Sequence, residues 1–149
     1  MKALKSLALR VKSLNVNDCI YELSNHKEFT DFIIELNTKK QLYDKGVGSD
    51  GIRIGSYSAK TKQIKDSKGQ ISDHVTLLDT GEFYKSFSVF LSGTDFIISA
   101  NTIKDTDDLI YKYGTEILGL NKESLNLLRE KAKNILIPYI KSLILQRWY

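Results

Sequence analysis

Two short stretches carry residue types that could do chemistry. Leu77-Leu78-Asp79-Thr80-Gly81 sets a carboxylate in a turn behind an apolar run. Two such carboxylates, one from each of two chains, can share a proton and activate water against a peptide bond, because like charges that close cannot both ionise. That arrangement calls for a small residue after the glycine. Here Gly81 is followed by Glu82 and Phe83, and Glu82 would set another carboxylate beside the pair. The second stretch, Gly46-x-Gly48-x-x-Gly51, repeats the glycine spacing with which a backbone approaches a pyrophosphate. That device needs a strand before it and a helix after it, so that the phosphate meets a helix N-terminus. A helical run precedes the glycines here and a polar stretch follows them, so the spacing by itself makes no nucleotide cradle.

The remaining reactive residues are few. Cys19 is the only cysteine, which excludes an intrachain disulfide and a cysteine-based zinc cluster. The two histidines, His26 and His74, stand apart, with no clustered carboxylates to complete a metal site and no Ser-His-Asp or Cys-His spacing around them. His74 reads as the end of an extended segment. Catalytic, cofactor and metal residues are therefore expected to be none.

The 149 residues suit one domain with a real core, and 42% hydrophobic with 27% charged residues is ordinary for a globular chain. A formal net charge of +4 fits an acidic partner or a place near nucleic acid without requiring either. A nucleic-acid-binding protein is a further reading, but no platform of alternating aromatic and basic residues supports it. Lysines and Arg10 interrupt the apolar residues of MKALKSLALRVKSLN, unlike the unbroken core of a secretory leader. No stretch approaches the roughly 20 apolar residues of a membrane span, so no membrane partner is expected.

Periodicity supplies the elements that must position these residues. Leu4, Leu7, Ala8, Val11 and Leu14 mark one face of a first helix, either packed on the core or held out as an amphipathic arm. A short helical segment follows over 15–24. Asn25-x-x-Glu28 predicts the cap of a helix over about 26–45, with Phe29, Phe32, Ile33, Leu36 and Tyr43 on its apolar face and Gly46 as its stop. Residues 46–73 read as one long loop carrying Lys60, Lys62, Lys65 and Lys68, because glycine so dense disfavours regular structure. His74–Leu78 is a candidate strand, and a hairpin is predicted between 86–91 and 96–100. Asp105, Asp107 and Asp108 suit the first turn of a short helix ending at Gly114. Asn121 caps a last helix whose inward face reads as Leu125, Leu128, Ala132, Ile135, Tyr139 and Leu143, with a kink at Pro138. The tail is apolar for a chain end, and Leu143, Leu145, Trp148 and Tyr149 need a cover. The expected fold class is α+β: N-terminal helices, a small antiparallel sheet with a hairpin, and a long C-terminal helix kinked at the proline.

The order of these pieces resembles the virion-morphogenesis or tail-completion family of tailed bacteriophages, small proteins of the head–tail neck. The resemblance is carried by Asp50-Gly51-Ile52-Arg53-Ile54-Gly55-Ser56-Tyr57-Ser58 followed by Lys60, Lys62 and Lys65. It continues through Leu78, Thr80-Gly81, Phe83 and Ser86, then the hairpin, Tyr111-Lys112-Tyr113-Gly114-Thr115 and Leu118-Gly119-Leu120-Asn121. It spans about 32–140. It implies a structural protein of the virion without catalysis or cofactor, assembled as a symmetric ring beside other neck, portal or tail proteins. Contact with DNA is left open. The 46–73 segment and both chain ends would then meet neighbours, through Lys60, Lys62, Lys65, Lys68, Leu143, Leu145, Trp148 and Tyr149. The alternative is a retroviral-type aspartic protease, whose active-site signature the stretch around Asp79-Thr80-Gly81 resembles.

Overall fold

The computed structural model describes the backbone of residues 2–145 and the side chains of residues 5, 6 and 8–145. The chain is α+β, built of helices and two small antiparallel sheets. Helix α1 spans Lys2–Lys12 and α2 spans Val16–Asn25, whose first turn is capped by Asn15 accepting from the Asn17 amide at 3.0 Å. Helix α3, Lys27–Glu35, continues without a break as a π-helical stretch over Leu36–Tyr43. The wider π turn, seen in the 2.8 Å bond from the Asp44 amide to the Lys39 carbonyl, carries Asn37, Thr38, Gln41 and Leu42 inward together. The expected cap at Asn25 is not used: Asn25 closes α2, and His26, in extended conformation, starts α3 without a side-chain cap.

Residues 46–73 are not a single loop. Ser58 caps a helix α4, Ala59–Ser67, by accepting from the Thr61 amide at 3.2 Å. The glycines that suggested a loop all lie outside it. Residues 74–78 are likewise no strand, although His74, Val75 and Thr76 are buried. Side chains take the place of a neighbouring strand. The Tyr57 hydroxyl accepts from the Thr76 amide at 2.9 Å, Tyr84 donates to the Thr76 carbonyl, and the Lys65 ammonium donates to the Leu78 carbonyl at 2.8 Å. A buried backbone must be hydrogen-bonded, but nothing requires its partners to be backbone.

After the short helix α5, Glu82–Lys85, strands β1, Ser88–Ser92, and β2, Asp95–Ser99, form the hairpin one or two residues from its expected bounds. Gly93 has φ +62 in a two-residue Gly-Thr turn, the arrangement whose twist suits a hairpin. Next, β3, Ile103–Lys104, and β4, Asp107–Asp108, make a minimal hairpin where the acids were expected to begin a helix. Only Asp108 serves that role, capping α6, Leu109–Tyr113, by accepting from the Ile110 amide at 2.9 Å. A 3-10 turn over Thr115–Ile117 leads to α7, Lys122–Leu145, capped as expected by Asn121 accepting from the Ser124 amide at 2.9 Å. Helix α7 contains Pro138 and is bent; a proline inside a helix removes one backbone bond and crowds the preceding turn.

Two apolar clusters form the core. Leu23, Phe29 and Ile33 meet Val89, Phe96, Leu128, Ala132, Ile135 and Leu136, with Phe29 edge-on to Phe96. Leu42, Phe87, Leu109 and Ile117 gather Ile54, Leu77, Phe83, Tyr84 and Tyr113, and Ile98 touches both clusters. Leu128, Ala132 and Ile135 of the expected inward face of α7 do pack on the core, joined by Leu136 and the buried Ser124, whereas Leu125 and Leu143 at its two ends are partly exposed. On α1, Ala8, Leu9 and Val11 are exposed, so its described apolar residues do not pack on the core.

Candidate functional site

The two stretches with chemical promise meet different fates. At Gly46 and Gly48 the fold fills the space beside the backbone, while Gly51 faces open space. Gly46 has φ +62, and a Cβ there would lie 2.5 Å from the His74 ring; one on Gly48 would lie 2.9 Å from the Glu116 backbone and side chain. At Gly46 and Gly48 the chain's own parts approach closely. The Ser49 amide donates to the Glu116 carbonyl at 2.7 Å, and the buried His74 donates from Nε2 to the Tyr43 carbonyl at 2.7 Å.

Beneath this loop lies a polar clamp that sequence reasoning missed. Asn37 donates to the Ile117 carbonyl at 3.1 Å and accepts from the Gly119 amide at 2.8 Å. Gln41 donates to the Gly119 carbonyl at 2.9 Å and accepts from the Asn121 amide at 2.8 Å. Both side chains are fully buried. Each amide uses donor and acceptor at once, so the helix grips the 117–121 segment as another strand would, and unmade bonds there would cost free energy. The signal available beforehand was two amides four residues apart on a helix otherwise read by its apolar face.

Asp79 lies instead in an open cleft of about 680 Å³. Its walls are α4, the 77–83 segment, the β3–β4 hairpin and α6, and its lining mixes Lys65, Lys68, Lys104 and Lys112 with Asp79, Glu82, Asp105 and Asp107. Leu77 and Asp105, at φ 56 and 53, are the non-glycine residues with positive φ among those described, and both line it. The Asp79 carboxylate pairs with the Lys104 ammonium, and both side chains are about half exposed. The hydrogen bond from Lys104, and then its charge, hold the Asp79 carboxyl below its ordinary value; Lys68 and Lys65 add to this, while burial opposes it. Lys104 is shifted upward by the same contact. A carboxylate so held is ionised at neutral pH and paired with a cation.

The four lysines expected at an interface separate. Lys60 and Lys62 point to solvent, and Lys68 stands on the cleft rim. Lys65 is only 8% exposed: it donates to the Leu78 carbonyl and to Gln70 at 3.4 Å, and lies 4.9 Å from the centre of the Tyr57 ring. Lys65 thus fastens α4 to the 74–78 segment and is no surface contact, a correction to its expected role. At the chain end, Leu143 and Leu145 are 37% and 61% exposed, while Arg10 of α1 donates to the Ile144 carbonyl at 3.1 Å. Trp148 and Tyr149 lie outside the described residues.

Among the described residues, no group of histidine, cysteine and carboxylate side chains is placed to hold a metal ion, and no helix is long and apolar enough to cross a membrane. Set against protein-family models, curated proteins and solved structures, the chain has no match.

Proposed function

We propose that this chain is a structural subunit of the head–tail neck of a tailed phage, acting in tail completion or attachment by assembling with its own copies into a symmetric ring. It works by contact and not by catalysis, in the virion, beside other neck, portal or tail proteins. The observation that carries the reading is the apolar end of α7, where Leu143 and Leu145 are 37% and 61% exposed. The candidate contacts are the outward Lys60, Lys62 and Lys68, with Leu143 and Leu145 at the end of α7. The order of short motifs noted above supplies the phage context. The commitment of Asp79 to Lys104 favours a structural carboxylate over the protease alternative.

The test is the assembly state of the purified chain and of the same chain lacking residues 143–149, read by native mass spectrometry and electron microscopy. Rings from the full chain, and a folded protein that forms none after the deletion, are expected. A full chain that stays below ring size under every condition, or a truncated chain that still closes rings, overturns the assignment. Peptide-bond cleavage lost in Asp79→Asn would replace it with the protease.

A further inference from the structure

The β1–β2 hairpin turns one face away from the core, while α3 packs against β1 on the other face through Val89. Phe90 and Ile97 are directly opposite across the strands and are 51% and 38% exposed. They sit among Ser88, Ser92 and Ser99, with Asp95 the one charge on that face. The two-residue turn closes on the Ser92–Asp95 pair, and bonded pairs alternate from there along an antiparallel ladder. Ser88, Phe90 and Ser92 therefore turn their backbone groups toward β2. Val89 and Leu91 turn theirs outward, and none of those groups has a hydrogen-bond partner among the described residues. The strand carries neither lysine nor proline nor a bulge, the devices that keep an edge from pairing.

We propose that β1 pairs antiparallel with β1 of a second copy of this chain, about a two-fold axis at Phe90, joining two hairpins into one four-stranded sheet. The strand reads Ser-Val-Phe-Leu-Ser, nearly the same in both directions. Antiparallel pairing about its centre sets Ser88 against Ser92, Val89 against Leu91 and Phe90 against its own copy. The Val89–Leu91 pairs fall in register to exchange both of their free N–H and C=O groups, so every outward group on the edge is satisfied. On the outer face Ile97, Phe90, Phe90 of the other copy and its Ile97 then form one apolar row across the sheet. The inference does not rest on the neck reading: a two-fold contact closes on itself, whereas a ring joins unlike faces, so the two use different surfaces.

The experiment measures the mass of the full chain in solution with residue 90 recharged. Below the concentration at which rings close, the parent is expected to sediment as a dimer that dissociates on further dilution. Phe90→Lys and Phe90→Glu, each placing like charges opposite one another, are expected to be folded monomers. Mixed in equal amounts, they should recover a dimer whose native mass shows one copy of each. A parent that stays monomeric, a Phe90→Lys variant that remains dimeric, or a mixture that does not pair overturns the proposal. Hydrogen exchange on the unmodified protein gives a reading independent of how the variants fold. The Val89 and Leu91 amides should lose protection on dilution while those of Ser88, Phe90 and Ser92 keep it, and protection unchanged by concentration would count against the pairing.

Discussion

The loop over 46–54 is held from inside, and the turn at 79–81 from outside. Below the first, Asn37 and Gln41 are fully buried, each bonded to the 117–121 segment by donor and acceptor, and His74 fills the space beside Gly46. At the second, Asp79 is anchored by one half-exposed ion pair on the wall of an open cleft. A buried amide bond carries the desolvation cost of whatever is left unpaired if it breaks, whereas an exposed ion pair exchanges with water at little cost. Two motifs that look alike as isolated strings therefore differ in what they do for the fold. The glycine-rich one is an internal joint, and the acidic one is a surface feature with freedom to vary.

That difference can be broken most forcefully at Gln41. Gln41→Ala leaves the Gly119 carbonyl and the Asn121 amide buried without partners and opens a hole, and should cost about 3–5 kcal/mol. Urea unfolding measures it, and a loss no larger than that of an ordinary surface substitution would mean that water reaches the joint. A smaller effect separates two glycines of nearly equal backbone conformation. Gly46→Ala meets both the left-handed backbone and the His74 ring, whereas Gly69, at φ +63, has open space where a Cβ would stand. We expect Gly69→Ala to cost about 1 kcal/mol from the backbone alone, and Gly46→Ala at least twice that. Equal losses would show that the loop yields.

The smallest effect belongs to the cleft. Asp79→Asn should change stability at neutral pH by less than about 0.5 kcal/mol, as exposed ion pairs do. The sign of its pH dependence follows from the lowered folded-state value. The unfolded carboxyl takes up its proton first, so the pair's contribution is present above the ordinary value of 3.8 and is lost as pH falls through the lower folded one. A carboxyl titration followed by NMR should find Asp79 below that value, and Lys104→Met should bring it back up. An Asp79 indifferent to Lys104 would leave the cleft without the contact that sets its electrostatics.

Most of the fold was legible because its signals are local. Helical spacing, the cap at Asn121, the stop at Gly46 and the alternating strands around Gly93 depend on residues a few positions apart, and each is realised within a residue or two. A helix at 59–67 and the irregular course of 74–78 were not legible, because both depend on distant partners. Lys65 and the hydroxyls of Tyr57 and Tyr84 supply the bonds that a neighbouring strand would have made. The clamp escaped for the same reason, since Asn37 and Gln41 bond to residues some 80 positions away. By itself, then, the sequence determined the helices before Gly46 and after Asn121, the β1–β2 hairpin, and that Asp79 would sit in a turn before Gly81. Tertiary structure decided that the glycine loop would be an internal joint, that Lys65 would turn inward, and that Asp79 would be tied to Lys104. Propensity is summed over neighbours along the chain, whereas burial and hydrogen-bond satisfaction are settled only once segments far apart in sequence share the same space.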